Sequence, residues 1–207
     1  MFSDQDLQVM DSIIKRYPRS RSAIMPLLHY VQSKAGYVTN EGIELIAQLL
    51  TIETAEVSAV ATFYTQYKRK PVGEYHVGVC TNTLCAVMGG DAIFAGLKEH
   101  LGIENDGVTA DGKVSLEHIE CNAACDYAPV VMANWEFYDN QTVQSSKDLV
   151  DAMRQGTPPA PTRGPKTLPT WRENSAVLAG INDGRANEGV QAGEPTLLGL
   201  KLSKEGK

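Results

Sequence analysis

Cys80, Cys85, Cys121 and Cys125 are the only cysteines in 207 residues, and they fall into two close pairs. The pattern is C-x4-C, thirty-five intervening residues, then C-x3-C. Each pair leaves a strand-like run and enters a loop, so all four thiols are expected at one end of a sheet. Four converging thiolates bind zinc or an iron–sulfur cluster. Structural zinc favours C-x2-C turns, where a tight knuckle aims two sulfurs at one ion. The longer intervals here suit two metal centres a short distance apart, each taking two thiolates, so a two-iron cluster held by four cysteines is the best reading. Dithiol exchange would need C-x-x-C, which does not occur in the sequence. A Rieske site would replace two cysteines by nearby histidines, but His29, His76, His100 and His118 lie outside the cysteine loops. His76 and His118 are expected on strand faces as structural residues.

Charge sets the requirements of the surroundings. Two ferric ions, two sulfides and four thiolates sum to a dianion, and one-electron reduction adds another negative charge. Such a site calls for N–H donors and little carboxylate density. Gly89 and Gly90 let the chain pass close to the sulfurs, and the helix that starts there turns its positive dipole end toward the Cys85 loop. Thr81, Asn82 and Thr83 offer hydroxyl and amide donors to sulfur, a lever on reduction potential. Ordinary turn chemistry is the alternative for each of these three, and for Asn82 it is at least an equal reading.

The elements that must position these residues follow from periodicity. Residues 1–70 are expected as a helical bundle. Ser3 and Asp6 form a capping pair ahead of Leu7, Met10, Ile13, Ile14 and Tyr17, with Pro18 as the stop. Pro26 sits in the first turn of a helix through LLHYVQSKAG that closes at Gly36. Thr39 or Asn40 caps a third helix through Ile43, Ile46 and Leu50. A fourth runs from Thr54 into ATFYTQY, whose Phe63, Tyr64 and Tyr67 are expected in the bundle core rather than in an electron relay. Residues 71–156 change pattern. EYHVGVC alternates as a strand with one buried face, carried by Tyr75, Val77 and Val79. GGDAIFAGLKEHLG is a helix ending at Gly102, VTADGKVSLEHIEC two short strands about a turn at Asp111-Gly112, and VVMAN a further strand. SSKDLVDAMRQG is a closing helix capped by Ser145 or Ser146. The order β-α-β-β-α is thioredoxin-like in outline, which makes the fold class α+β. Residues 157–207 form a Pro-rich tail, expected as disordered chain or as a strap ordered on a partner, with Trp171 and the LLGLKL run as anchors.

Composition narrows the function classes. The formal charge is -6, whereas phosphate binding needs a basic face, so no nucleic-acid partner is expected. No apolar run approaches the ~18 residues of a membrane span, and direct membrane insertion is not expected. The start lacks a secretory leader's basic-then-apolar layout, so an intracellular protein is expected. There is no G-x-G-x-x-G after a strand, so this chain is not expected to oxidise NADH alone, and no catalytic residue is assigned.

CTNTLCAVMG followed by CNAACDYAPVV resembles the thioredoxin-like 2Fe–2S subunit family of respiratory complex I, the small iron–sulfur subunits of NADH:quinone oxidoreductase. PLLHYVQSKAGYV and VSAVATFYTQY resemble the helical segments that precede the cluster domain there, and the likeness runs from about Ile24 to Gly156. It implies an N-terminal helical bundle followed by a thioredoxin-like 2Fe–2S ferredoxin domain, while the extended C-terminal tail, read from its composition, matches only in being Pro-rich with an Arg-Gly-Pro element. It implies one 2Fe–2S cluster with Cys80 and Cys85 on one iron and Cys121 and Cys125 on the other. It implies two partners, a large iron–sulfur subunit and a flavin-bearing subunit that alone holds FMN and NADH. It places the chain in the cytoplasm, peripheral on the cytoplasmic side of the inner membrane. An equivalent diaphorase subunit of an NAD-linked hydrogenase or formate dehydrogenase is the alternative, and a zinc-stabilised interaction module the rival of another class. Two departures stand out. Ala123 occupies a position where the family commonly has glycine, and Asp126 follows Cys125. If it pointed inward, the Asp126 carboxylate would favour the oxidised state and lower the potential.

Overall fold

The computed structural model describes residues 2–190 and 192–206. The described chain sorts into two units. One comprises the residues up to Val72 with Pro169–Asp183, and the other Gly73–Leu168 with the residues from Gly184 onward.

The first unit is helical. Helix α1 (Asp4–Ile14) opens with the expected capping box, in which the Ser3 hydroxyl accepts from the Asp6 N–H and the Asp6 carboxylate from the Ser3 N–H. Helix α2 (Ile24–Ala35) has Pro26 in its first turn and closes at Gly36, φ 87°, a left-handed residue suited to glycine. Helix α3 (Asn40–Leu50) is capped by the Thr39 hydroxyl, which accepts from the Gly42 N–H at 3.0 Å. Helix α4 (Thr54–Phe63) follows. Met10, Ile13, Leu27, Leu28, Ile46 and Val57 meet in the core, all fully shielded from solvent.

The aromatic run after α4 departs from expectation. Phe63 and Tyr64 are 77% and 42% exposed rather than in the core. The helix stops at Phe63 and Tyr64 turns extended, which breaks the helical spacing that would have carried both rings inward. Tyr67 is buried, with its hydroxyl donating to the Met25 carbonyl at 3.1 Å and its ring 4.7 Å from that of His29.

A tail helix, α8 (Trp171–Leu178), completes this unit. Trp171 is buried, and its indole N–H donates to the Gly36 carbonyl at 2.7 Å. Arg172 donates to the Lys34 and Ala35 carbonyls at 2.7 and 3.3 Å. Helix α2 leaves its last carbonyls without intrahelical partners, and these contacts satisfy them. The buried Gln32 amide bridges the Gln66 carbonyl and the Ser175 hydroxyl at 3.2 and 3.3 Å.

The second unit is built on a sheet of β1 (Tyr75–Cys80), β2 (Gly107–Val108), β3 (Val114–Ile119), β4 (Val131–Ala133) and β5 (Glu136–Tyr138), in the order β2-β3-β1-β4-β5. Strand β1 runs parallel to β3 and antiparallel to β4. Tyr75, Val77 and Val79 pack against helices α6 (Gly90–Leu101) and α7 (Val143–Arg154) through Ile93, Leu97 and Val150. Strand β1 is buried on both faces, not on one as the alternation predicts. On the second face Ile119 folds over Gly78, where an added Cβ would lie 2.7 Å from its side chain. His76 and Gly78 conceal that face from any hydrophobicity count. The His76 ring is fixed there, with Nδ1 3.0 Å from the Ser115 hydroxyl and Nε2 2.8 Å from the Glu117 carboxylate.

Two further details differ from the sequence reading. Strand β5 was not expected, and it follows β4 through Asn134 and Trp135, both left-handed at φ 49° and 67°. The cap of α7 is Thr142, not Ser145 or Ser146. Its hydroxyl accepts from the Ser145 N–H at 3.1 Å, and the Ser145 hydroxyl accepts from the Thr142 N–H at 2.9 Å. Among the described residues, no helix is long and apolar enough to cross a membrane.

Candidate metal centre

The parallel pairing of β1 and β3 puts Cys80 opposite Ile119, two positions before Cys121. Parallel strands end on the same edge, so both cysteine loops leave the sheet at its carboxyl end. Cys80 closes β1. Cys85 sits in a short helix, α5 (Thr83–Val87), where the sequence pattern predicts a loop. Cys80 and Cys85 are buried, whereas Cys121 and Cys125 are exposed. The Cys121 and Cys125 sulfurs are 3.5 Å apart, and the Cys80 and Cys85 thiols are hydrogen-bond neighbours. Each of these two also acts electrostatically on Cys125 or is acted on by it. Among the described residues no group of three or more His, Cys, Asp or Glu side chains is drawn together tightly enough to hold a single ion. The arrangement is a pair of pairs.

Thiol electrostatics follow from this pairing. Burial, and then the Cys80 thiol beside it, pushes the Cys85 thiol up to about 11, while a backbone hydrogen bond from Val130 opposes the rise. The Cys121 thiol alongside pushes Cys125 upward too. Paired thiols resist becoming paired thiolates unless cations are supplied between them, and metal ions supply them.

Donors to sulfur are in place. The Ala123 N–H points at the Cys121 sulfur at 3.4 Å, and the Asn82 side-chain amide lies 3.7 Å from the Cys80 sulfur. That amide also donates to the Ile119 carbonyl at 2.9 Å and makes no cap bond to α5, so turn chemistry is not its role. Among the described residues the donors to sulfur are Asn82, Ala123 and Val130, and Thr81 and Thr83 are not among them. The two backbone donors were not singled out from sequence. Backbone amides leave no signal in the residue types, since every residue but proline carries one.

Glycine is required at two adjacent points for different reasons. Gly89 is left-handed at φ 112° with open space around it. Gly90 begins α6 and is buried, and a Cβ there would lie 2.8 Å from the Cys85 carbonyl oxygen and inside contact distance of the Cys80 carbonyl oxygen. Helix α6 thus starts directly against the Cys80–Cys85 loop. Ala123 adopts φ 55°, so the second loop keeps a glycine-type backbone although its residue is alanine. The Asp126 carboxylate accepts from the Thr196 hydroxyl at 2.9 Å and is occupied by that tail residue. Four thiols in two pairs, amide donors aimed at sulfur and a helix start pressed on one loop suit a small sulfur-ligated metal group.

The thioredoxin-like [2Fe-2S] ferredoxin family model matches residues 10–154, and the chain belongs to that family. It is 60% identical over 194 residues to the E subunit of the NADH-quinone oxidoreductase of Mycobacterium tuberculosis (strain ATCC 25618 / H37Rv), covering 93% of this chain and 77% of that one. The corresponding protein of Rickettsia bellii (strain RML369-C), which bears the same name, is 41% identical over 156 residues, covering 74% of this chain and 93% of its own. Among solved structures, an NAD+-reducing [NiFe]-hydrogenase in the air-oxidized state aligns at TM-score 0.57 and 18% identity, over 65% of this chain and 23% of that chain. At that identity the likeness is one of fold. Family membership read from the cysteine motifs therefore stands, as does the α+β class with a helical N-terminal part.

Proposed function

We propose that this chain is the electron-transfer subunit of an NADH:quinone oxidoreductase, holding one 2Fe–2S cluster on Cys80, Cys85, Cys121 and Cys125. The observation that carries the reading is the pair-of-pairs arrangement of thiols at one sheet edge, in a chain 60% identical to a protein named as part of that complex. When bound, such a cluster supplies one-electron transfer. The protein's part is to hold and tune. Cys80 and Cys85, which are buried, would hold one iron, and Cys121 and Cys125, which are exposed, the other. The Asn82, Ala123 and Val130 N–H groups stabilise negative charge on sulfur. The exposed pair lies at the surface, where electrons can pass to a docked partner.

That partner is a flavin- and NADH-binding subunit, with a large iron–sulfur subunit beyond it, in a complex on the cytoplasmic side of the inner membrane. NADH oxidation belongs to the assembled complex, and this chain contributes an electron site to it. The deciding experiment is iron and acid-labile sulfide content of anaerobically purified full-length protein, with absorption spectra before and after dithionite. About two irons and two sulfides per chain, with visible bands that bleach, are expected. Zinc near one per chain and no visible bands, even after attempted reconstitution, would overturn the reading and leave a structural clip.

A further inference from the structure

The Arg-Gly-Pro element of the tail stands apart from the thiols, yet it is tied into the loop that carries two of them. Residues 162 and 163 run beside β5, with an antiparallel bridge between Phe137 and Arg163 and the Thr162 N–H donating to the Phe137 carbonyl at 2.8 Å. The Thr162 hydroxyl donates to Asp139 at 2.7 Å and accepts from the Asp139 N–H at 3.1 Å. Arg163 grips the same carboxylate with two prongs, Nε to Oδ2 at 2.8 Å and Nη2 to Oδ1 at 2.9 Å. The two side chains are only 16% and 5% exposed. Fork-on-fork geometry of this kind fixes orientation as well as position. The guanidinium so held lies 4.1 Å from the Phe137 ring centre and 4.9 Å from that of Tyr127.

Tyr127 ends the 3-10 turn that begins at Cys125. Among the described residues its buried hydroxyl has no hydrogen-bond partner, so its ring is held by packing. Arg163 covers it, and Gly193 lies so near that an added Cβ would overlap the phenol. The Tyr127 carbonyl accepts from the Asn140 N–H at 2.8 Å, which is the backbone half of the same anchor. Elsewhere in the loop Ala124 alone is buried, packed in one cluster with Ile119 and Met132, while Asn122, Ala123, Cys125 and Asp126 are exposed.

We propose that Arg163 is a positioning residue for the metal centre. Anchored on Asp139, it pins Tyr127 and thereby sets the Cys121–Cys125 loop in its ligand geometry before any metal arrives. A loop ordered in advance loses less entropy on binding. The proposal rests on the ligand role assigned to that loop, but the first arm of its test does not.

In the full-length, metal-free chain, hydrogen exchange is followed at the Ala123, Tyr127 and Ala128 amides and, as reference, at the amides of β1. Arg163→Gln is expected to speed the three loop amides about tenfold, the scale of one lost charged contact, and to leave β1 unchanged. Arg163→Lys keeps the charge but loses the fork and the flat face, and it is expected to behave as Arg163→Gln does. In the second arm, the reconstituted full chain is challenged with an iron chelator, and both variants are expected to release iron about tenfold faster than wild type. Unchanged loop exchange, rescue by lysine, or equal acceleration of loop and β1 would each overturn the proposal. Failure of the wild-type chain to take up iron would count against the cluster reading alone, since exchange in the metal-free chain decides the role of Arg163.

Discussion

Gly90→Ala perturbs the candidate centre without touching a thiol. The new methyl would lie 2.8 Å from the Cys85 carbonyl oxygen, with the Cys80 carbonyl oxygen nearer still. Ordinary contact begins about 0.6 Å farther out, and backbone oxygens cannot rotate away as a side chain would. Because the Cys80 oxygen is the nearer one, either α6 or the Cys80–Cys85 loop must shift by more than about 0.6 Å. Overpacking of this kind costs about 1–3 kcal/mol, while thiolate–metal distances tolerate only about 0.2 Å. Metal binding should therefore fail before the fold does. The assay pairs iron and sulfide per chain after reconstitution with urea unfolding of the metal-free protein. Gly90→Ala is expected to hold less than half the wild-type iron and to lose about 1–3 kcal/mol of stability. Gly89→Ala is the control. It meets no neighbour but carries the φ 112° strain, so it is expected to lose about 1–2 kcal/mol yet retain its iron. Wild-type iron content and stability in Gly90→Ala would refute the close approach of α6 to the first cysteine loop.

Two further expectations concern the backbone of the second cysteine loop and a buried imidazole. Ala123→Gly removes the left-handed strain at φ 55° and, after the entropy of a freer unfolded chain, is expected to stabilise the metal-free protein by about 0.5–1 kcal/mol in urea unfolding. A loss of stability there would mean that the Ala123 methyl makes a favourable contact. Burial holds His29 down to about 4, from 6.5, and its Nδ1 has no partner among the described residues. The unfolded chain therefore binds this proton from about pH 6.5 downward while the folded chain resists until about pH 4, so stability should fall across that window by about 3 kcal/mol. His29→Phe should flatten this part of the pH profile, and an unchanged slope would place the acid sensitivity elsewhere.

Much of this was legible from residue types and intervals. Caps at Ser3 and Thr39, the stop at Gly36 and the helix start at Gly89-Gly90 are local signals, because each satisfies backbone groups within a few residues of itself. Family membership was legible from two short motifs. What escaped depends on residues distant in sequence. Both faces of β1 are buried because Ile119 folds over Gly78 from a neighbouring strand. Strand β5 is three residues long, and its turn uses Asn134 and Trp135 without the glycine that marks most such turns. Phe63 and Tyr64 match the pattern of a buried helix face, yet they fall where the helix stops. Trp171 reads as an anchor on a partner, yet its seat is the Gly36 carbonyl of its own chain, 135 residues away. Donation to sulfur by Ala123 and Val130 comes from backbone amides, which every residue type but proline carries and which no motif can single out.

The interleaved order of the chain has a consequence for how the protein is made. The first unit takes α1–α4 from residues before Val72 and α8 from Pro169–Asp183. A ribosome adding ~5–20 residues each second emits the bundle helices about 5–20 s before α8 appears. Throughout that interval the Gly36 carbonyl and the Gln32 amide await Trp171 and Ser175. The second unit is finished later still, because Thr162 and Arg163 emerge shortly before α8 and the residues from Gly184 onward only after it. A chain released after Gly156 would carry all four cysteines and yet leave both units open. Completion of either unit thus reports that translation has run into the tail, so a cell that triages proteins by exposed interior would remove the truncated product even though its cysteine motifs are intact.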